Sequence, residues 1–376
     1  MEKPAHIRSL TSLRGIAAVA IVILHYSYYT LPPTGKILSA YSYIFKNGYL
    51  WVDFFFILSG FIMTHLYLRQ FESGVGWIKY RSYLWSRFAR IYPLQLFTLL
   101  LLVALELTKF YWLNLPAFTG KFNLTALFAG VVLLQAFDLN CPPLFWCDTY
   151  WNEPAWSVSV EFVIYLIFPL MLRFVTKISR NREAIIYIFT LALIFGLIRF
   201  TRGNLDAIIG IPAIFRCGLE CILGIITYLI YQKINYDQTR NINVLATVSI
   251  MWIGLILHNW SDFDRTLHDW LILPGFSMLI LAVSGKSRHS INRLLHAPLL
   301  FYLGTISYSI YLVHWVIGEV WKTSWNYHFD TVFGRGWNEG EMILSLVVFI
   351  FSTLAAASLS YRYIELPMRH WLKSIT

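Results

Sequence analysis

Arg14 and His25 stand eleven residues apart in SLRGIAAVAIVILHYSYY, a hydrophobic run long enough to belong to a membrane span. Lipid is a poor environment for a titratable imidazole, so a histidine at that depth faces a bundle interior and is a candidate functional group. At 1.5 Å rise per residue the pair is separated by roughly 16 Å along one helix. That distance suits a ligand held by a charged end at Arg14 while its far end meets His25. A neutral imidazole can take a proton from a hydroxyl and return it, which suits general base catalysis. The alternative for His25 is a packed histidine bonded to a neighbouring helix.

Other polar groups fall in apolar stretches too. Asp53 opens one and Glu161 lies a turn or two into another, while Arg216 and Glu220 share a third at i,i+4. The last two can meet an acceptor or form an ion pair between helices. Tyr308, Tyr311 and His314 recur at intervals of three in YSIYLVHW, followed by Glu319. Their polar stripe either lines a substrate path or joins helices. Arg87 and Arg90, in WSRFARIYP, lie at i and i+3. Two guanidinium groups on one face suit a phosphorylated ligand, and they also suit a simple anchor at the membrane surface.

The elements that must position these groups are membrane helices. The chain has 376 residues, 57% of them hydrophobic and 13% charged, against about 25% charged for a soluble domain. Apolar stretches fall near 12–30, 49–68, 88–109, 122–137, 155–175, 184–200, 213–231, 242–258, 268–285, 299–320 and 341–361. If 122–137 does not cross and the N-terminus is cytoplasmic, Lys79, Arg81, Arg87, Arg90, Arg173, Lys177, Arg180 and Arg182 all fall inside. So do Lys233, Arg240, Lys286, Arg288, Arg293, Arg362, Arg369 and Lys373. The expected fold is therefore all-α, a polytopic bundle of about ten transmembrane helices with both termini cytoplasmic. The 122–137 segment becomes an interfacial or re-entrant helix on the outer side. Residues 1–376 read as one integral-membrane domain, with no cleavable signal peptide and no appended soluble domain.

An outer loop over roughly 110–154 holds Cys141 and Cys147 in CPPLFWC, either a short disulfide-closed turn or two reduced thiols. Cys217 and Cys221 sit at i,i+4 in a span and point to packing. No metal-ligand spacing, P-loop or dinucleotide fingerprint occurs, so no metal is expected. Nor is nucleic acid an expected partner. Membrane lipid surrounds the bundle, and nothing in the sequence requires a homo-oligomer.

Taken in order, these segments resemble the membrane-bound acyltransferase-3 family, bacterial integral-membrane O-acyltransferases of cell-envelope and exported carbohydrates. Arg14 and His25 match its arginine–ten residues–histidine pattern. WVDFFFILSGFIM resembles the stretch ending in Ser59, Gly60 and Phe61, and SRFARIYP carries the paired arginines. WNEPAWSVSVEFVIYLIFP resembles the motif whose glutamate is Glu161, and FRCGLECILG the Arg-x-x-x-Glu span at Arg216 and Glu220. LGTISYSIYLVHW supplies His314, and YRYIELPMRHW the closing Glu-x-Pro at Glu365 to Pro367. The seven motifs cover almost the whole chain.

The resemblance implies a multi-pass protein of the bacterial cytoplasmic (inner) membrane that moves acetyl or another short acyl group to a sugar hydroxyl. Acetyl-CoA or another acyl-CoA is the donor co-substrate, with no tightly bound cofactor, and the acceptor is a carbohydrate or lipid-linked oligosaccharide. In the expected arrangement the donor phosphates meet Arg14, Arg87 and Arg90 and the thioester reaches His25. The acceptor meets Asp53, Arg216, Glu220, Tyr311 and His314. Glu161 is the first candidate to orient His25. Ser59 beside Gly60 reads as close helix packing, with no nearby base in the sequence. The rival class is a transporter or flippase for a lipid-linked sugar or small anion, which also needs buried ionisable residues.

Overall fold

The computed structural model describes residues 6–137, 150–179, 181–201, 203–206, 210–234, 239–258, 264–285 and 290–375. Cys141 and Cys147 lie outside them. In chain order the helices are α1 (Arg8–His25), α2 (Pro33–Tyr41), α3 (Trp51–Phe71), α4 (Trp77–Tyr111), α5 (Leu124–Val131), α6 (Ala155–Ile178), α7 (Glu183–Phe200) and α8 (Ile211–Tyr231). There follow α9 (Thr239–His258), α10 (Arg265–Ser284), α11 (Ser290–Leu295), α12 (Pro298–Thr305), α13 (Ser307–Phe329), α14 (Glu339–Ser360) and α15 (Leu366–Ser374). Hydrocarbon offers the backbone no hydrogen bonds, so apolar runs of this length satisfy themselves as helices.

Among the described residues, eight helices are long and apolar enough to cross a membrane. They are α1, α3, α4, α6, α7, α8 and α10, together with α14 continued through α15. A ninth arises if α12 and α13, bent by 67° at their junction, count as one span. The expected span over 242–258 is a shorter apolar helix. The 122–137 stretch contains only the eight-residue α5 between two 3-10 turns. At about 12 Å such a helix is too short to cross.

Glycines set the closest approaches. A Cβ on Gly60 (α3) would collide with the backbone of Cys221 (α8), and one on Gly224 (α8) with Ile57 and Phe61 (α3). Gly304 of α12 lies in the same way against Thr11 of α1, and Gly15 against Gly304 and Leu303. Small residues allow backbones to meet where no hydrophobic effect drives helices together. The 67° bend that the sequence did not announce tilts α12 onto α1 at this contact. Gly60→Val should destabilise the bundle by about 3 kcal/mol, because the obstructing atoms are backbone and cannot rotate away. Thermal unfolding in detergent measures this, and an unchanged midpoint would show that α3 and α8 can part without cost.

The end of α1 lies beside the start of α3, where a Cβ on Gly48 would sit 3.2 Å from Leu24 Cβ. The two helices are therefore antiparallel. Immediately after His25 the chain widens into a π-helical turn, Tyr26–Thr30, a local irregularity frequent at functional sites.

Candidate active site

α1, α3, α4, α6 and the α12–α13 bend enclose a cavity of about 420 Å³, completed by the chain around Tyr361 to Arg369. Along α3 its lining runs from Val52 to Leu66, or roughly 21 Å of helix. Arg14, Arg87, Arg90 and Arg369 all face it. They come from three helices, Arg14 from α1, Arg87 and Arg90 from α4 and Arg369 from α15, so the cluster exists only in the assembled bundle.

These guanidinium groups are under-satisfied. Arg87 is 8% exposed, and its Nη atoms donate only to Ser86 Oγ (3.3 Å) and Met63 Sδ (3.4 Å). Its Nε has no partner. Among the described residues, Arg14, Arg90 and Arg369 make no side-chain hydrogen bond or ion pair. Two carboxylates share the cavity with them. Glu161 accepts from Ser59 Oγ and Tyr165 Oη, both at 2.6 Å on Oε1, and Glu365 accepts from Ser309 Oγ at 2.7 Å. Four cations against two anions leave the cavity electropositive, and partly buried cations without partners are costly unless an anion completes them. His6, at the mouth and outside the span, is held below its ordinary pKa by partial burial, then by Arg14 and Arg8. The local field thus disfavours a further cation.

His25 lies beyond the other end of the cavity and is not among its lining residues. Its Nδ1 is 2.8 Å from His314 Nε2, with the two rings stacked at 5.0 Å. His314 Nδ1 is 3.0 Å from the Ile310 carbonyl. A carbonyl only accepts, so His314 carries its proton on Nδ1 and its Nε2 is the acceptor. His25 must then donate from Nδ1, which leaves its Nε2 lone pair free. Two hydrogen bonds therefore select the tautomer in which His25 Nε2 is a base. Tyr29 and Trp315 stand edge-on to the imidazole at 5.4 and 5.8 Å.

The acyltransferase domain family model matches residues 7–362. The chain belongs to the acyltransferase-3 family. It is 27% identical over 322 residues to the acyltransferase MdmB of Streptomyces mycarofaciens, covering 82% of this chain and 78% of that one. It is 22% identical over 396 aligned positions to the O-acetyltransferase OatA of Staphylococcus aureus. That alignment spans 98% of this chain and 58% of OatA, so the chain accounts for little more than half of that relative. No solved structure matches. With its long apolar helices and bacterial relatives, this acyltransferase is a multi-pass protein of the bacterial inner membrane.

The bundle of this acyltransferase sorts the sequence candidates into three groups. Arg14, Arg87, Arg90, Glu161 and Tyr311 surround the cavity. His25 and His314 form the pair beyond it. Asp53, Arg216 and Glu220 meet one another instead of the cavity. Arg216 donates to Asp53 Oδ1 from Nε (2.8 Å) and approaches it from Nη2 (2.6 Å), and lies 3.7 Å from Glu220. Arg216 is 1% exposed and both carboxylates are fully buried. The ion-pair alternative thus ties α3 to α8 through Arg216 and Asp53, and all three residues lie away from the cavity lining, with both Glu220 oxygens lacking a hydrogen-bond partner among the described residues.

Two further expectations change. The group touching His25 is His314 and not Glu161, whose carboxylate is engaged by Ser59 and Tyr165 in the cavity. Ser59 does have a carboxylate neighbour, which the sequence did not reveal. Tyr311 forms the wall between the two regions. It lines the cavity, contacts His314 at 6.3 Å and Phe55 at 6.1 Å, and bonds Ser157 Oγ at 2.7 Å. Because the Ser157 hydroxyl donates to the Pro154 carbonyl, Tyr311 is the donor to Ser157. Arg369, Tyr165 and Ser157 had no role assigned from sequence. Arg369 was visible there only as one of many basic residues at a helix end.

Proposed function

We propose that this protein transfers an acetyl or other short acyl group from acyl-CoA to a hydroxyl of a cell-envelope or exported carbohydrate, with His25 as general base. The observation carrying the reading is the Ile310–His314–His25 chain, which leaves a lone pair on His25 Nε2 near the end of an arginine-walled cavity. The distribution of Lys and Arg supports a cytoplasmic mouth. There the donor phosphates meet Arg14, Arg87, Arg90 and Arg369 through charge-assisted contacts. The narrow pantetheine arm follows α3 inward, and Glu161 offers an acceptor to its amide N–H groups. Rotation of Tyr311 away from Ser157 admits the thioester to His25. The acceptor oxygen attacks the thioester carbonyl carbon as His25 Nε2 takes the hydroxyl proton. The C–S bond then breaks, and the departing sulfur receives that proton from His25. The name O-acetyltransferase borne by OatA supports an O-acetyl product, and the whole chain acting as one domain is part of the same proposal.

Purified protein supplied with labelled acetyl-CoA should release coenzyme A only when a carbohydrate acceptor is added. Flux of a sugar across vesicles without thioester cleavage would favour the transporter reading. His314 acts here as a positioning residue, so its replacements should separate by hydrogen-bonding capacity. His314→Phe should lower acceptor-dependent turnover by about 10²-fold, since a misassigned tautomer disables the base. His314→Gln keeps an oxygen able to accept from His25 Nδ1 and should recover much of that loss. Equal turnover in the two variants, with coenzyme A binding intact in both, would show that His314 only fills space.

A further inference from the structure

Continuing along α13 past His314, a charged cluster packs against Trp315. Lys121, from the 3-10 turn Gly120–Phe122, and Lys322 both reach Glu319 Oε1, at 2.9 and 2.8 Å. The same two ammonium groups lie over the Trp315 indole, 4.7 and 5.8 Å from its centroid. Trp315 is in turn the edge-on neighbour of His25. Two cations share a single carboxylate oxygen, so the cluster keeps an excess positive charge. The next carboxylate cannot offset it, because Glu106 is occupied by Lys109 and the Phe118 N–H, both at 2.7 Å. The lysine side chains are 30% and 28% exposed while that of Glu319 is 11% exposed, so an arriving ligand meets the cations first. Trp315 itself is 5% exposed, and its Nε1 has no hydrogen-bond partner among the described residues. A buried indole N–H without an acceptor is a donor waiting for one.

We infer that Lys121, Lys322 and Trp315 form an acceptor subsite for a carbohydrate bearing a carboxylate or phosphate close to the hydroxyl that His25 deprotonates. This rests on the reading of His25 as the base and adds the class of acceptor. The ring distances place the ammonium groups within a disaccharide's length of His25. An anion on the same or the adjacent sugar can therefore bind the lysines while a hydroxyl faces Nε2. Glu319 holds the two lysines together and competes with the incoming anion. Its removal should consequently tighten anion binding, an effect opposite in sign to the loss of a structural ion pair.

The test is binding to the full chain in phosphatidylcholine nanodiscs, with coenzyme A saturating so that the arginine cavity is filled. Three probes are compared: trigalacturonate (carboxylate), a short glycerol-phosphate oligomer (phosphate) and maltotriose (neutral). At least one anionic probe should bind about tenfold more tightly than maltotriose, and which one does so identifies the acidic group. Lys121→Gln with Lys322→Gln should erase that preference without changing affinity for coenzyme A, which reports a folded bundle. Glu319→Gln should strengthen anion binding about threefold or more. If neither anion is preferred, or the preference survives in the double variant, the inference is overturned. Acetyl transfer measured on the same samples separates the two readings. Preference without transfer overturns only the acyltransferase mechanism, and transfer without preference overturns only the anionic subsite.

Discussion

His25→Ala should lower acceptor-dependent acyl transfer by about 10³-fold or more while leaving coenzyme A affinity unchanged. The size follows from what is removed. Two hydrogen bonds, His25 to His314 and His314 to the Ile310 carbonyl, direct one His25 lone pair outward, and alanine leaves only the His314 Nε2 lone pair, set back by the width of the missing imidazole. The unchanged donor affinity follows from the separation of the regions, since His25 is absent from the cavity wall and Tyr311 stands between them. Stopped assays with labelled acetyl-CoA give the first quantity and equilibrium titration with coenzyme A the second. Full transfer activity in the variant would remove His25 from the chemistry. A parallel loss of coenzyme A binding would instead point to a collapsed bundle.

Arg87→Gln combined with Arg90→Gln should produce the second large effect, a rise of about 100-fold in the Kd for coenzyme A. Charge-assisted contacts to phosphate contribute more than neutral ones, and two are lost together. The arginines have little else to hold. Arg90 makes no hydrogen bond among the described residues, and Arg87 donates only to a serine and a thioether. Removing such groups should therefore cost binding much more than folding. The wild-type affinity should also weaken with added salt, and less steeply in the double variant, because fewer charge contacts remain to be screened. An unchanged Kd would make the pair topology anchors at the membrane surface.

Much of the candidate site is legible in the sequence alone. Charge is so scarce in these apolar stretches that Arg14, His25, Glu161, Arg87, Arg90 and His314 stood out individually. Lipid penalises each of them unless it is satisfied by protein or ligand. The helices were legible for the same reason, and α5, which the charge pattern predicts does not cross, is eight residues long and too short to do so. What misled was sequence proximity to a motif. Asp53 and Glu220 looked available to a substrate, yet Arg216 hydrogen-bonds Asp53 across 163 positions and lies 3.7 Å from Glu220, away from the cavity lining. Lys121 carried no signal at all. Its loop has no periodicity, and its meaning comes from meeting Glu319 across 198 positions.

By itself the sequence determined the medium, the helical architecture and the family, because apolar length and sparse ionisable groups are local properties that the bilayer enforces. It also determined that Arg14 and His25 lie far apart on one helix, since helical rise converts spacing directly into distance. Only the tertiary structure decided which way each side chain of the bundle turns. It split the expected single ligand track into an arginine cavity and a histidine pair with Tyr311 between them, and it replaced Glu161 with His314 as the partner of His25. It also bent the 299–320 span at Ile306, close to Gly304, where two backbones touch. Such outcomes depend on helix rotation and close contact between distant segments, and a one-dimensional pattern of polarity does not encode either of these.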